Sequence, residues 1–237
     1  MVNDLRPVDA SDERRHVGHA VEEWVFAAWT EAADVGVLSG HRLLGRHAWY
    51  WAALVQRGQP LLHVGEWDVV VREHDPMIVK AQALWAEHTV DAPMEQWSIG
   101  NETYAVALDD PAEGLGRAYG IPTPIAFDLE WYATAEPAVI DDGYEQVGVV
   151  HGRIDVAGQD AIELVEVPAA RWHRWGAALD PLPLEAVRAH SGLRAPFAFP
   201  DGTSADWVLT SGGWRTRLTA RDRFSSRSRR RTAAQSA

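Results

Sequence analysis

A chain of 237 residues with 46% hydrophobic and 24% charged content is long enough to bury a substantial core and lies within the ordinary globular range. Its formal net charge of -12 argues against nucleic acid as the main partner, and the absence of cysteine excludes disulfides, thiolate nucleophiles and cysteine metal sites. Charge stands where a signal peptide needs an apolar region, and no apolar run approaches membrane-spanning length, so a cytoplasmic protein without a membrane span is expected.

In chain order, residues 1–19 read as a flexible N-terminus, with "SDERRHVGHAVEEW" offering no more than a short helical turn. His16 and His19 have metal-compatible helical spacing, but this polar terminus supplies no nearby third ligand, and no metal site is expected. His41 and His47 flank a strand start and are expected to be exposed. "HAWYWAALVQRGQPLLHVGEWDVVVRE" reads as a hairpin around Arg57-Gly58-Gln59-Pro60, with Glu66 and Asp68 on its wet face. "TYAVALDD" and "PIAFDLEWYATAEP", which carries Trp131, add strands on either side of a long loop. Asp109-Asp110 and Asp141-Asp142 precede Pro and Gly and read as turns.

"YEQVGVVHGRIDVAGQDAIELVEVPAARWHRW" repeats the hairpin design around Ala157-Gly158-Gln159-Asp160. "DPLPLEAVRAHSG" could form a short helix from Asp180 to Gly192, and "LRAPFAFPDGTSADWVLTSGGWRTRL" holds tight turns at Asp201-Gly202 and Gly212-Gly213. The last stretch carries six arginines against Asp222 and reads as a disordered basic tail over 221–237. Regularly spaced short strands punctuated by Gly and Pro predict an all-β sandwich or barrel, taken as two antiparallel sheets or half-barrels packed together, with an N-terminal lobe at 20–92 and a C-terminal lobe at 93–220.

Tryptophan is the unusual residue, with 12 against 5 Tyr and 5 Phe. Trp49 and Trp51 share one strand face, either as packing between sheets or as the wall of an apolar cavity. In "PAARWHRWGA", Arg171, His173 and Trp175 share a face and Trp172 with Arg174 the other. If the first face looks inward, a cation and a titratable imidazole enter an aromatic pocket, where His173 can act as acid or base. The alternative is a strand-end histidine bonded to backbone or water.

The R-x-H-x-W-G pattern at Arg171, His173, Trp175 and Gly176, after the hairpin "YEQVGVVHGRIDVAG", resembles the late motif of a lipocalin-like, two-lobed β family related to carotenoid 1,2-hydratases, which also includes bacterial domains of unknown function. "WTEAADVGVLSGHRLLGRHAWYWAALVQRGQPLLHVGE" and "AEHTVDAPMEQWSIGNETYAVALDD" extend the likeness over roughly residues 20 to 220. The resemblance implies action on an isoprenoid double bond, with His173, Trp175, Phe199 and Asp201 at the carried-over positions. Trp172 stands where relatives often have Asp, Arg174 where they often have Ser or Asn, and Phe199 where the hydratase has Tyr. Asp201 in "FPDGTS" has a second reading as a backbone-driven turn residue.

Phosphate-cradling, dinucleotide and nucleophile-elbow motifs are absent from the sequence, so no cofactor is expected. The expectation is a protein that binds an apolar small molecule of isoprenoid, steroid or polyketide type, with its oligomeric state open. One version is a hydratase-, isomerase- or cyclase-type enzyme using His173 and Asp201. The other is a non-catalytic carrier. In either, Arg171, Trp175, Phe199, Trp49, Trp51 and Trp131 would contact the ligand.

Overall fold

The computed structural model describes residues 7–179 and 193–219, and the chain is all-β there apart from two short 3-10 turns, Ala10–Glu13 and Pro111–Leu115. Strands β1 (Val21–Trp29), β2 (Val35–Leu44), β3 (His47–Gln56) and β4 (Leu61–Val70) form an antiparallel meander. A hairpin of β5 (Ile78–Ala81) and β6 (Leu84–Ala92) leads into β7 (Gln96–Leu108). β8 (Ile121–Ala133), β9 (Ala138–Ile140), β10 (Gly143–Val156) and β11 (Ile162–Gly176) complete the large sheet. The expected turns lie where β3 meets β4 and β10 meets β11, with Gly58 and Gly158 at φ 75° and 81°, a region that residues with a Cβ avoid.

The large sheet closes on itself. β11 pairs back onto β1 from Val21 opposite Gly176 to Ala28 opposite Ala169, and the start of β4 pairs with the end of β7 at Leu61 opposite Leu108. Eight strands thereby form one hydrogen-bonded barrel, with the β5–β6 hairpin extending from the first half of β7 and β9 edging β10. The boundary at 92/93 falls at the β6–β7 turn, and both spans supply strands to the barrel. A second sheet, β12 (Arg194–Ala198), β13 (Ser204–Thr210) and β14 (Gly213–Thr219), lies against the outside. No described helix is long and apolar enough to cross a membrane.

This covering explains the unbroken apolar runs of the first three strands, since β1 through β3 are buried on both faces. Trp24, Phe26 and Tyr50 point into the barrel, whereas Val25, Trp49 and Trp51 point out and pack under Phe197, Phe199, Trp207 and Leu209. β8 and β10 have one wet face and alternate instead.

Two expectations are corrected. Within the N-terminal segment Asp12 and Glu13 are buried, because Glu13 reaches the cation of Arg171, whereas Ala10, Ser11, Arg14 and Arg15 are exposed. His41 is 1% exposed, since alternation along β2 places it with Ser39 on the inner face of a closed barrel. His47 is exposed, Asp68 is exposed and accepts from the Trp49 indole, and Glu66 is half-buried. The predicted helix at 180–192 and the tail at 221–237 lie outside the described residues.

Gly40 shows how tightly the outer layer is fitted: a Cβ there would come within 2.1 Å of the Trp51 indole. Gly40→Ala is therefore expected to lower stability by about 1–3 kcal/mol, the usual cost of overpacking, read as a drop in the urea midpoint at unchanged slope.

Candidate functional site at the barrel seam and mouth

Alternation along β11 turns Arg171, His173 and Trp175 inward and Trp172 and Arg174 outward, as the shared-face argument requires. Arg171 sits among the rings of Trp131, Tyr144 and Trp97, at 4.8, 5.2 and 5.5 Å from their centroids. Its guanidinium forks onto Glu13 at 2.5 and 3.1 Å, donates to Gln146 Oε1 at 2.6 and 3.0 Å and reaches Tyr144 at 3.2 Å. This cation is therefore a pin that holds the N-terminal segment to the barrel.

His173 is 0% exposed, with Nε2 2.9 Å from Glu22 and Nδ1 3.3 Å from the Tyr144 hydroxyl. The Trp24 indole stacks on it at 4.5 Å. Burial pushes the imidazole pKa below its ordinary value, and the bond to Glu22 only partly offsets that. Burial also pushes the Glu22 carboxyl up, but the bonds from His173 and from the ring and backbone of His16 outweigh it and leave Glu22 lowered and ionised. Neutral His173 thus donates Nε2–H to Glu22 and accepts from Tyr144 at Nδ1. Trp175 is half-buried and stacks on His16 at 3.7 Å.

The other expected site residues divide. Trp131 is inside, against Arg171. Trp49, Trp51 and Phe199 are on the outer face, packed around the Arg42 guanidinium. Arg42 is itself bonded to Glu23, and the free space there is about 30 Å³, room for one water. They form core between sheets, because the second sheet covers them. Asp201 accepts from the Thr203 amide at 2.8 Å and hydroxyl at 2.6 Å, and the Arg42 guanidinium is 3.9 Å away. It holds the β12–β13 turn on the outer side, so His173 and Asp201 share no cavity.

Sequence reasoning missed the mouth of the barrel. A cavity of about 320 Å³ opens there, with Trp24, Met77, Ile78, His88, Val90 and Trp97 on its wall and the polar groups of Glu13, Arg15, His74, Asp75, Glu87 and Thr89 beside them. The indole Nε1 of Trp24 and of Trp97 and the Nδ1 of His88 are buried without a partner among the described residues. A chain of bonds leads to His88 Nε2. The Phe127 amide donates to Asn101 Oδ1, Asn101 Nδ2 donates to Tyr50, and Tyr50 is 3.2 Å from Ser39, which is 2.8 Å from His88 Nε2. With Tyr50 and Ser39 each donating toward His88, the imidazole hydrogen sits on Nδ1, the nitrogen without a partner among the described residues.

His41, whose ring centroid is 5.9 Å from that of His88, has the complementary state. Its ring bonds the backbone of Pro76, a residue without N–H, so the imidazole donates to the carbonyl. Its unpartnered Nε2 keeps the lone pair. Burial drives the His41 pKa down to about 3, and burial together with His41 holds His88 well below its ordinary value. Both imidazoles are neutral at pH 7. The available signal was period two: Ser39 and His41 share the β2 face that carries Val37 and Leu43 into the core.

Nδ1 of His16, a carboxylate oxygen of Glu22 and Nε2 of His173 lie within 4.8 Å of one another, a donor set able to hold a metal ion. No protein-family model, curated protein or solved structure matches the chain. The functional reading rests on the chemistry of the site.

The buried neutral histidine has a sign-definite consequence. Folded His41 stays neutral down to about pH 3, whereas the unfolded side chain takes up a proton near pH 6.5, so the unfolded state binds more protons between these values. Stability is expected to fall as pH drops from about 6.5 toward 3, and His41→Gln should make that fall shallower. Urea midpoints measured across the interval check this. An unchanged slope in the variant would count against a buried neutral His41.

Proposed function

We propose that the protein is a small-molecule-binding barrel, which holds a largely apolar molecule with one hydrogen-bonding end at the barrel mouth. The observation that carries this reading is a cavity lined by Trp24, Trp97 and His88, side chains whose buried ring nitrogens lie beneath its surface without a partner among the described residues, beside apolar Met77, Ile78 and Val90. A buried donor without a partner costs about 1–3 kcal/mol, and native proteins keep few of them. A ligand oxygen would satisfy such donors. The volume of about 320 Å³ lies at the low end for ligand sites and suits a short isoprenoid or a one- or two-ring polyketide better than a long carotenoid chain.

Binding without catalysis is the better-supported version. His173 has both ring nitrogens engaged and does not line this cavity, and Asp201 is on the other side of the sheet. An acid–base pair needs two titratable groups within reach of one substrate.

Titration of the intrinsic tryptophan fluorescence with geraniol and with carvone tests the reading. Saturable quenching with one molecule per chain is expected. Trp97→Phe keeps the apolar body and loses the donor, so it should weaken binding by about threefold to tenfold. Trp172→Phe, on the outer face, should leave affinity unchanged. If neither compound saturates the protein, or Trp97→Phe binds as tightly as the parent, the reading fails.

A further inference from the structure

We infer that His16, Glu22 and His173 form a site for one divalent first-row transition ion of the Zn²⁺ class, placed where the N-terminal segment crosses the β1–β11 seam. Two imidazole nitrogens and one carboxylate are the donor set such ions take when thiolate is absent. The three come from separate pieces of chain, and Glu22 Oε1 is 2.9 Å from both His16 Nδ1 and His173 Nε2. Tetrahedral coordination at about 2.0–2.2 Å separates ligand atoms by roughly 3.4 Å, so each of the two Glu22 contacts needs to open by about half an ångström, with the two imidazole nitrogens already within 4.8 Å of each other.

The surroundings of the two histidines form a second observation, independent of the donor set. In metal sites each ligating imidazole commonly hands its other nitrogen to a carboxylate, carbonyl or water. Here His16 Nε2 is 3.4 Å from Asp12 and His173 Nδ1 is 3.3 Å from the Tyr144 hydroxyl. With an ion bound, each imidazole carries its remaining hydrogen on that far nitrogen. Asp12 accepts one, and Tyr144 accepts the other. Both ring planes are fixed by stacking, His16 on Trp175 at 3.7 Å with an interplanar angle of 11° and His173 on Trp24 at 4.5 Å and 22°. The carboxylates of Asp12 and Glu22 favour a cation there, and the His16 side chain, 19% exposed, leaves a route from solvent and an open fourth position for water.

Three protein ligands with an open position are the pattern of ion sites that retain exchangeable water. The ion would also tie His16 to the barrel wall at the end where Glu13 and Arg15 line the cavity, so its occupancy would hold the N-terminal segment down. The site does not depend on what the cavity binds.

The test uses the untagged full chain, stripped with a chelator and titrated with Zn²⁺ by calorimetry and with Co²⁺ by visible absorption. One ion per chain is expected, with micromolar or tighter affinity, a tetrahedral Co²⁺ spectrum and a raised Tm. His16→Ala, on the partly exposed segment, should weaken binding by more than about tenfold while the metal-free variant stays folded. His19→Ala removes an exposed neighbour and should change nothing. Absence of binding at about 100 μM metal, equal binding by His16→Ala, or loss of binding in His19→Ala would each overturn the assignment.

Discussion

Glu23 and Arg174 are 151 residues apart in the chain and directly opposite each other in the sheet, where β1 meets β11 and the barrel closes. Successive residues of a strand point to opposite faces, so Glu22 goes inward and Glu23 outward, while His173 goes inward and Arg174 outward. Each acid meets its base on its own side of the wall, Glu22 with His173 at 2.9 Å and Glu23 with Arg174 at 3.1 Å. A slip of one residue would turn every one of these groups to the wrong face. Removing one partner of a buried ion pair costs about 3–5 kcal/mol where nothing else compensates the charge left behind, and less here, because Arg174 also has Asp142 at 3.2 Å and Glu23 also has Arg42. Burial pushes the Glu23 carboxyl up, and Arg42 and Arg174 outweigh it, which keeps the acid ionised between the two sheets.

Closure at this seam makes the rest of the arrangement possible. It gives β1 a partner on each side and leaves no open edge there. It brings Arg171 under the N-terminal segment, where Glu13 and Gln146 accept its hydrogen bonds, and so covers one end of the barrel. It also encloses His41, His88, Ser39 and Asn101, which become buried polar groups within an aromatic interior. The interior then contains two kinds of polar group. Arg171 bonds to Glu13 and Gln146, His173 bonds to Glu22, and these contacts hold the wall, whereas Trp24, Trp97 and His88 carry ring nitrogens that the described protein does not satisfy.

Strand alternation made much of this legible. The hairpins around Gly58 and Gly158, the shared face of Arg171, His173 and Trp175, and the turn role open to Asp201 follow from period two and from turn chemistry. What stayed hidden depends on contacts distant in sequence. Trp49 and Trp51 share a face, but β3 is apolar on both faces, so alternation alone does not say which looks into the barrel. Their outward direction follows from the cover of the second sheet. His16 gains Glu22 and His173 as neighbours only after β1 and β11 pair, which is why spacing within the N-terminus showed no third ligand. His41 was expected to be exposed because its burial requires a closed barrel, a property of the sheet rather than of the strand.

The claim that the seam is set by its charge pairs is tested most directly by a double-mutant cycle on Glu23→Gln and Arg174→Gln, with stability taken from urea unfolding at pH 7. Each single change should destabilise, and the double variant should lose less than the sum, with a coupling energy above about 1 kcal/mol. A coupling energy near zero would mean that the two residues act independently, and would contradict the account.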